Sequence, residues 1–520
     1  MQITSMASPD PDAPSEKTAG ETIASPSTDP PWYRQGHLLY LNYIIISLVL
    51  FSSANGYDGS LMNGLLALDQ WNQFMNHPTG ARLGWLNAIF LLGTGVASPV
   101  AAWLSNRFGR KPGIFSGYFF LILGAVLQTA APNPTAFLLS RLFVGVSSAL
   151  FATASPLLIN EIAHPSHRSV MNGLFMTGFY LGSSISAWAT FGVRTYSSSW
   201  AWRLPSLLQC LLPAIALPGL LLAPESPRWL IAQGREDEAY AMMRRYHAGG
   251  RQSSLVDAEF HEIWVTIRAE QEAQKSASYM EMLRTPGNRH RLIISLSLGF
   301  FTQWVGNGVI SFYLALILRS VGVTSVEHQL LITACLQMWN LLFAIAGAFM
   351  IDGFGRRPLF LSSAMIMLTS YVLVTALSAS FATTNRTATG AAVIPFLFIF
   401  FASYSSTLTP LLTGYPCEIW PFRLRSRGLA VTWMSSICAA CFNIFVNPIA
   451  LQAIAWRYYL VFIAVLVTFG VTAWFLYPET KCYTLEQMAI VFDRPPSAAN
   501  GVETKTATST VHTVHQEISS

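Results

Sequence analysis

Three short motifs occur twice along this chain, in one order and about 250 residues apart, and this internal duplication limits the possible folds more than any other feature. Asn106-Arg107-Phe108-Gly109-Arg110-Lys111-Pro112 recurs as Asp352-Gly353-Phe354-Gly355-Arg356-Arg357-Pro358. Glu161 followed by Arg168 recurs as Glu418 followed by Arg425, with the same spacing. Pro224-Glu225-Ser226-Pro227-Arg228 recurs as Pro478-Glu479-Thr480-Lys481. The chain therefore reads as two homologous halves.

Composition says what surrounds those halves. Of 520 residues, 52% are hydrophobic and 11% charged, whereas soluble globular chains average about 25% charged. Such a chain is solvated largely by lipid. Apolar runs of about 20 residues begin near 38, 83, 113, 135, 170, 203, 292, 328, 358, 390, 427 and 457. The expectation is an all-α integral membrane protein with twelve transmembrane helices, six in 38–223 and six in 292–478. A polar segment, 224–291, separates them, and its apolar spacing (Ala239, Met242, Met243, Tyr246; Phe260, Ile263, Trp264, Ile267) predicts short amphipathic helices beneath the bundle. The tails, 1–37 and 479–520, are polar and expected to be disordered for most of their length. The first has no basic leader and apolar core, so no cleaved signal peptide is expected.

Basic residues resist translocation, and their distribution orients the bundle. With the N-terminus in the cytosol, cytosolic connections hold Arg107, Arg110, Lys111, Arg168, Arg356, Arg357, Arg423, Arg425 and Arg427, and both tails lie inside. Asn385-Arg386-Thr387 then falls in an outer loop, where Asn385 is a candidate glycosylation site. The net charge of +5 follows the cytosolic face, which argues against a nucleic-acid partner. The six cysteines lie mostly in apolar helices and imply no disulfide framework; Cys438 and Cys441 read as small residues easing helix packing. No metal-spaced cluster, nucleophile elbow or phosphate loop occurs, and His164 with His167 reads as solvated surface, so neither an enzyme nor a cofactor or metal is expected.

Charged residues inside a bilayer need a partner or a cavity. Asp58, late in the first helix, and Arg141, early in the fourth, lie at compatible depths and are expected to pair. They serve either as a proton-coupling pair or as a fixed ion pair that orients helices. The repeated motifs predict two cytosolic gate clusters, Arg110 and Arg168 with Glu161, and Arg356 and Arg425 with Glu418; Arg228 and Asp352 belong to the same motifs. Gln303, Asn307, Asn340, Asn443 and Asn447 stand at membrane depth and could line a polar cavity, with Trp304, Phe312 and Tyr313 to stack on a ligand. Any single amide could instead be an interhelical hydrogen bond.

Between about 38 and 485 the chain resembles the sugar porter family of the major facilitator superfamily. The residues that carry this are Arg141-Leu142-Phe143-Val144-Gly145, Pro224 to Leu230, Asp352 to Pro358 and Tyr477 to Lys481. Gln303 to Gly308, Leu336 to Asn340 and Val446 to Leu451 look most like fungal lactose permease-type members. The resemblance implies proton-coupled sugar uptake, with Asp58 and Arg141 as the coupling pair and Gln303 and Asn340 as amides for sugar hydroxyls. It also shows departures. Met176 stands where an amide usually faces the sugar, Thr413 where an aromatic lies, and Ser436, Ile437 and Ile444 where polar or aromatic side chains are common; Asn106 replaces an aspartate of the first gate motif. A hydroxyl left without a partner loses about 1–3 kcal/mol, so Met176 and Ile437 favour a solute less polar than a free disaccharide. Asn106 predicts a first gate weaker than the second.

The expected function is secondary active transport by alternating access, as proton symport of a sugar or sugar-like small molecule. One alternative is a same-fold carrier of a less polar metabolite, import or export; another is a nutrient sensor that does not transport. A monomer embedded in the lipid bilayer of the plasma membrane is the default expectation.

Overall fold

The computed structural model of the chain describes residues 32–276, 279–481 and 491–492, and among these residues every regular element is helical. The expected tails fall mostly outside the described residues. The first half contains α1 (Gly36–Ala67), a short α2 (Asp69–Phe74), α3 (Gly80–Phe108), α4 (Arg110–Thr129), α5 (Pro134–Ile162), α6 (Arg168–Gly192) and a sixth span in two pieces, α7 (Trp200–Leu208) and α8 (Leu211–Leu222). Four shorter helices follow: α9 (Pro227–Ala232), α10 (Glu236–His247), α11 (Ser254–Ser276) and α12 (Glu281–Arg284). The second half opens with a broken span, α13 (Pro286–Trp304) and α14 (Asn307–Ser320), then α15 (Val326–Phe354) and α16 (Arg356–Thr384). Its tenth span runs through α17 (Thr387–Ala391), α18 (Val393–Ser403), a π turn at Tyr404–Leu408 and α19 (Thr409–Ile419); α20 (Phe422–Ile454) and α21 (Tyr459–Leu476) complete it.

Among the described residues, ten stretches are long and apolar enough to cross a bilayer. One of them, Arg423–Leu476, holds two helices, because the chain reverses at Ala455, where φ is +48°. The 25-residue α6 adds another, and at 1.5 Å per residue it reaches about 37 Å, enough for a hydrocarbon core of about 30 Å. Twelve spans result, as the apolar runs predict.

Capping side chains and small residues explain much of the arrangement. Asn133, Ser226 and Thr285 each accept an N–H from the first turn of the helix they precede, α5, α9 and α13. A side chain at Gly56 would overlap the Phe179 carbonyl, and one at Gly182 the Ser53 carbonyl, so α1 and α6 touch backbone to backbone.

All the duplicated motifs lie at the end of the bundle where α1 begins, here called the motif end, and α9–α12 lie there too. The predicted amphipathic faces are buried: Ala239, Met243, Tyr246, Ile263 and Ile267 pack in one core with Leu41, Ile44 and Ile162 of the first half. A second core lies within the second half. A third, at the opposite end, mixes both halves, joining Leu61, Leu65, Trp71 and Leu83 to Tyr313, Ala315, Leu330 and Ile444.

Candidate functional site

At the motif end the α3–α4 bend turns at Gly109, whose φ of +108° suits glycine; a side chain there would also strike the Glu225 carboxylate. Glu225 accepts the N–H groups of Arg110 (3.0 Å) and Lys111 (3.2 Å), which are orphan donors at the start of α4, and that of Ser226 (2.9 Å). Arg110 then grips Glu161 with two parallel bonds, Nε to Oε2 at 2.9 Å and Nη2 to Oε1 at 3.0 Å, and both side chains are only 11% exposed. Lys111 Nζ donates to the carbonyl of Ala223 just past α8, at 2.5 Å.

The second half repeats this plan. Gly355 bends at φ +89°, with Glu479 in the space a side chain would need. Glu479 accepts N–H groups from Arg356, Arg357, Thr480 and Lys481 at 2.8–3.0 Å. Arg356 holds one oxygen of Glu418, Nη2 to Oε1 at 2.9 Å, and the Thr480 hydroxyl holds the other. This pair is more open, at 15% and 32% exposure.

Three gate expectations need correction. Arg168 does not join Glu161; its guanidinium pairs with Glu259 of α11 at 3.1 Å, because α11 docks beneath the first half and brings a carboxylate that local spacing cannot reveal. Arg228, in α9, makes no hydrogen bond or ion pair among the described residues, and the functional carboxylates of its motif are Glu225 and Glu479. Their identical place in the repeated motif was the signal for them. Arg425 is half-buried in the first turn of α20, while the two Glu418 oxygens go to Arg356 and Thr480. The side chain of Asp352 lies outside those described. Asn106 is exposed, and its carbonyl accepts from Trp229 Nε1 at 3.0 Å, while its side chain makes no hydrogen bond among the described residues. The first gate, expected to be the weaker, has the more enclosed pair in this state.

His164 and His167 are also not simple surface. His164 lies 5.4 Å, ring to ring, from His247, whose Nδ1 meets Glu259 at 2.9 Å and whose Nε2 meets the Ile162 carbonyl at 3.1 Å. Burial, then the neighbouring His247, pushes the His164 imidazole down to about 4. Among the described residues no group of three or more His, Cys, Asp or Glu is placed to hold a metal.

Deep in the first half, Asp58 and Arg141 are neighbours, 2% and 0% exposed. They do not form the expected ion pair. Arg141 Nη2 donates to the Asp58 backbone carbonyl at 3.5 Å and its guanidinium stands over the Phe90 ring at 4.9 Å. Asp58 Oδ1 and Arg141 Nε and Nη1 have no hydrogen-bond partner among the described residues.

The second-half amides form two networks. Asn340 donates to Gln337 (3.3 Å), which donates to Ser60 of the first half (3.5 Å), so this chain crosses between halves. Asn447 donates to Asn443 (2.9 Å) and accepts from Tyr458 (2.8 Å). Gln303 donates to Ser436 at 2.9 Å, and Asn307 to the Tyr404 hydroxyl at 2.8 Å. Asn307 Oδ1, Asn340 Oδ1 and Asn443 Nδ2 have no partner among the described residues. Gln303 and Asn307 bond to other helices, Asn340 and Asn443 bond within their own helix, and Asn307, Asn340 and Asn443 each keep one amide atom unsatisfied among the described residues.

The seam between halves is sealed away from the motifs. Arg319 of α14 donates to the Leu66 and Ala67 carbonyls ending α1 (3.3 and 3.4 Å), Asn63 accepts the Ala315 N–H, and Arg194 pairs with Glu327 at 3.1 Å. The two motif-end clusters share no hydrogen bond or ion pair among the described residues.

Residues 44–492, most of the chain, match the family described as Sugar (and other) transporter. The chain belongs to this family. The transporter is 28% identical over 439 residues to the MFS-type transporter criB of Aspergillus cristatus, covering 84% of this chain and 90% of that one. It is 24% identical over 480 residues to a high-affinity glucose transporter of Kluyveromyces lactis, covering 88% and 86%. Its fold matches the inward open conformation of the xylose transporter XylE from E. coli with a TM-score of 0.72 at 21% identity, covering 87% of this chain and all of that one. The fold is the major facilitator fold.

Within this transporter the departures take definite places. Ser436 supplies the acceptor for Gln303. Ile437 lies against Gly95 of α3, in the seam between halves. Ile444 is buried, and its carbonyl accepts the Tyr313 hydroxyl at 2.8 Å. Met176 is exposed on α6 and Thr413 half-buried on α19. Asn385 ends α16 in an exposed left-handed conformation, φ +49°, at the end opposite the motifs.

Proposed function

We propose that this chain is a proton-coupled symporter of a sugar or sugar-like solute, working as a monomer in the plasma membrane with both termini and the motif end in the cytosol. The observation that carries the coupling is Asp58, a carboxylate 2% exposed, beside a fully buried arginine that does not bond it. One proton there removes a charge from the bundle and lets α1 shift relative to α5, which carries Arg141. The solute is held between the halves by the amide oxygens of Asn307 and Asn340 and the amide N–H of Asn443, which accept and donate as sugar hydroxyls require. Alternation breaks the Arg319 and Arg194 contacts at the outer seam and brings the motif-end clusters together, the rocking that inverted-repeat carriers use. The relatives named for glucose and xylose transport agree with a sugar as cargo.

The test is uptake by proteoliposomes of a labelled panel of hexoses, pentoses, disaccharides, glycosides and less polar metabolites, with and without an inward proton gradient. Gradient-driven accumulation of a sugar, lost in Asp58→Asn while exchange across the membrane persists, is the expected result. Accumulation retained by Asp58→Asn removes that residue from coupling, and flux of only a less polar compound removes the sugar.

A further inference from the structure

The seventh span breaks between α13 and α14, where Gly306 has φ +106°. A helix that stops leaves its last carbonyls without intrahelical partners. One hydroxyl spans the break. Tyr404 donates to the Thr302 carbonyl in the last turn of α13 (2.9 Å) and accepts from Asn307 Nδ2 at the first residue of α14 (2.8 Å). Tyr371 donates to the Gly306 carbonyl between them at 2.7 Å, and its ring fills the space a side chain at 306 would need.

Both ends of this arrangement lead to the seam. Tyr404 begins the π turn, an irregularity often found where helices do functional work, and the residue after the turn, Thr409, meets Tyr180 of the first half at 2.9 Å. At the other end of α14, Ala315 and Arg319 bind the end of α1. α14 has a second kink at Tyr313 (φ −133°, ψ 23°), whose hydroxyl is held by the Ile444 carbonyl at 2.8 Å, so a swing of about 10° at the break moves Tyr313, about 10 Å away, by about 2 Å and strains the hydrogen bonds that Ala315 and Arg319 make beyond it. Asn307, 8% exposed, keeps Oδ1 without a partner among the described residues, a cost that another arrangement of the hinge would relieve.

We propose that the Tyr404 hydroxyl is a positioning group for the transport cycle: it clamps the break in the seventh span and thereby holds α14 against α1, while the π turn carries movement of the first half to that clamp. The inference rests on the transporter fold and not on which solute is carried.

Tyr404→Phe removes one oxygen and keeps the ring that packs beside Phe400 and Phe401. Hydrogen–deuterium exchange of the full chain in lipid nanodiscs reads the effect. The expected result is exchange about tenfold faster at Leu65–Leu68 and Leu314–Ser320, with α16 and α21 unchanged, as loss of a hydrogen bond predicts. Tyr371→Phe shifts the same amides less. Unchanged exchange there overturns the proposal; so does acceleration confined to Thr302–Tyr313, or spread over the whole second half, since either is a packing lesion. Should Tyr404→Phe fail to fold, Arg319→Gln reads the coupling from the other end, because coupling is reciprocal. Faster exchange at Thr302–Gly308 supports the clamp, and an unaffected hinge refutes it.

Discussion

The same motif builds both clusters at the motif end, yet the serine or threonine after its glutamate does different work in each half. In the first half Ser226 caps α9, accepting the Trp229 N–H at 3.1 Å, and the chain continues into the helices below the bundle. In the second half Thr480 turns back and binds Glu418. Glu161 therefore gives both oxygens to one arginine, whereas Glu418 divides its two between Arg356 and Thr480. The first half then extends outward through Arg168, Glu259 and His247 to the loop helices. The lesson is that α10 and α11 of the insertion belong mechanically to the first half, while α12 joins the second through Met282 and the Glu281–Arg423 pair.

The sharpest way to break this comparison is to remove the arginines. Arg110→Ala leaves an enclosed carboxylate uncompensated and is expected to cost about 3–5 kcal/mol. Arg356→Ala leaves Glu418 one-third exposed and still bonded to Thr480, and is expected to cost less than half as much. Thermal unfolding of the two variants in one detergent measures this, and equal losses would contradict it. Next come the caps: Glu479→Ala loses four backbone N–H partners and Glu225→Ala three, each about 2 kcal/mol, with Glu479 the larger. Amide exchange at the first turns of α16 and α4 ranks them. Smaller still, Ser226→Ala costs about 1 kcal/mol and frays α9 while leaving the Arg110–Glu161 pair intact. Thr480→Val leaves every helix capped but frees an oxygen of Glu418. The two changes are distinguished by exchange in α9 against exchange in α19.

The finest distinction is in pH. His164 faces His167, His247, His37 and Glu259, and burial holds its imidazole at about 4, below its ordinary value of about 6.5. A depressed histidine stabilises the fold fully above about 6.5 and loses that contribution as pH falls toward 4. Burial pushes the Glu259 carboxyl up, but the His247 hydrogen bond and charge and the Arg168 charge outweigh it and hold it below the usual range. Its contribution is likewise lost as pH falls through that lowered value. In the second half Glu479 is held low against burial by backbone N–H groups. Acidification from pH 7 to 5 should therefore speed exchange in 236–276 and leave 352–360 unchanged. Equal protection of 236–276 at both values would end the distinction.

Much of this was legible in the residues themselves. Apolar runs and the doubled motifs give twelve spans in two halves, and the Arg110–Glu161 and Arg356–Glu418 pairs follow from the repeat. Helical direction places Asp58 near Arg141, but only packing decides that the guanidinium meets the Asp58 carbonyl. Arg168 could not be assigned from spacing, because Glu259 is 91 residues away and arrives by docking of α11. Gln303 at membrane depth reads as a ligand amide until Ser436 of another helix appears beside it. The break at Gly306 and the π turn at Tyr404 leave no mark in mean hydropathy, since both spans are apolar on average; the polar runs around them, Gln303 to Gly308 and Tyr404 to Thr407, were the available signal.

The two carboxylates that close the bends have a consequence for how the chain is made. Glu225 follows the sixth span and Glu479 the twelfth, so each bend at Gly109 or Gly355 waits for its cap until its own half has been synthesised. The first half can finish its motif end while the second is still emerging, since domains generally fold as units during synthesis. Each half thus signs off its own insertion with one glutamate, and a chain interrupted between them holds one completed half.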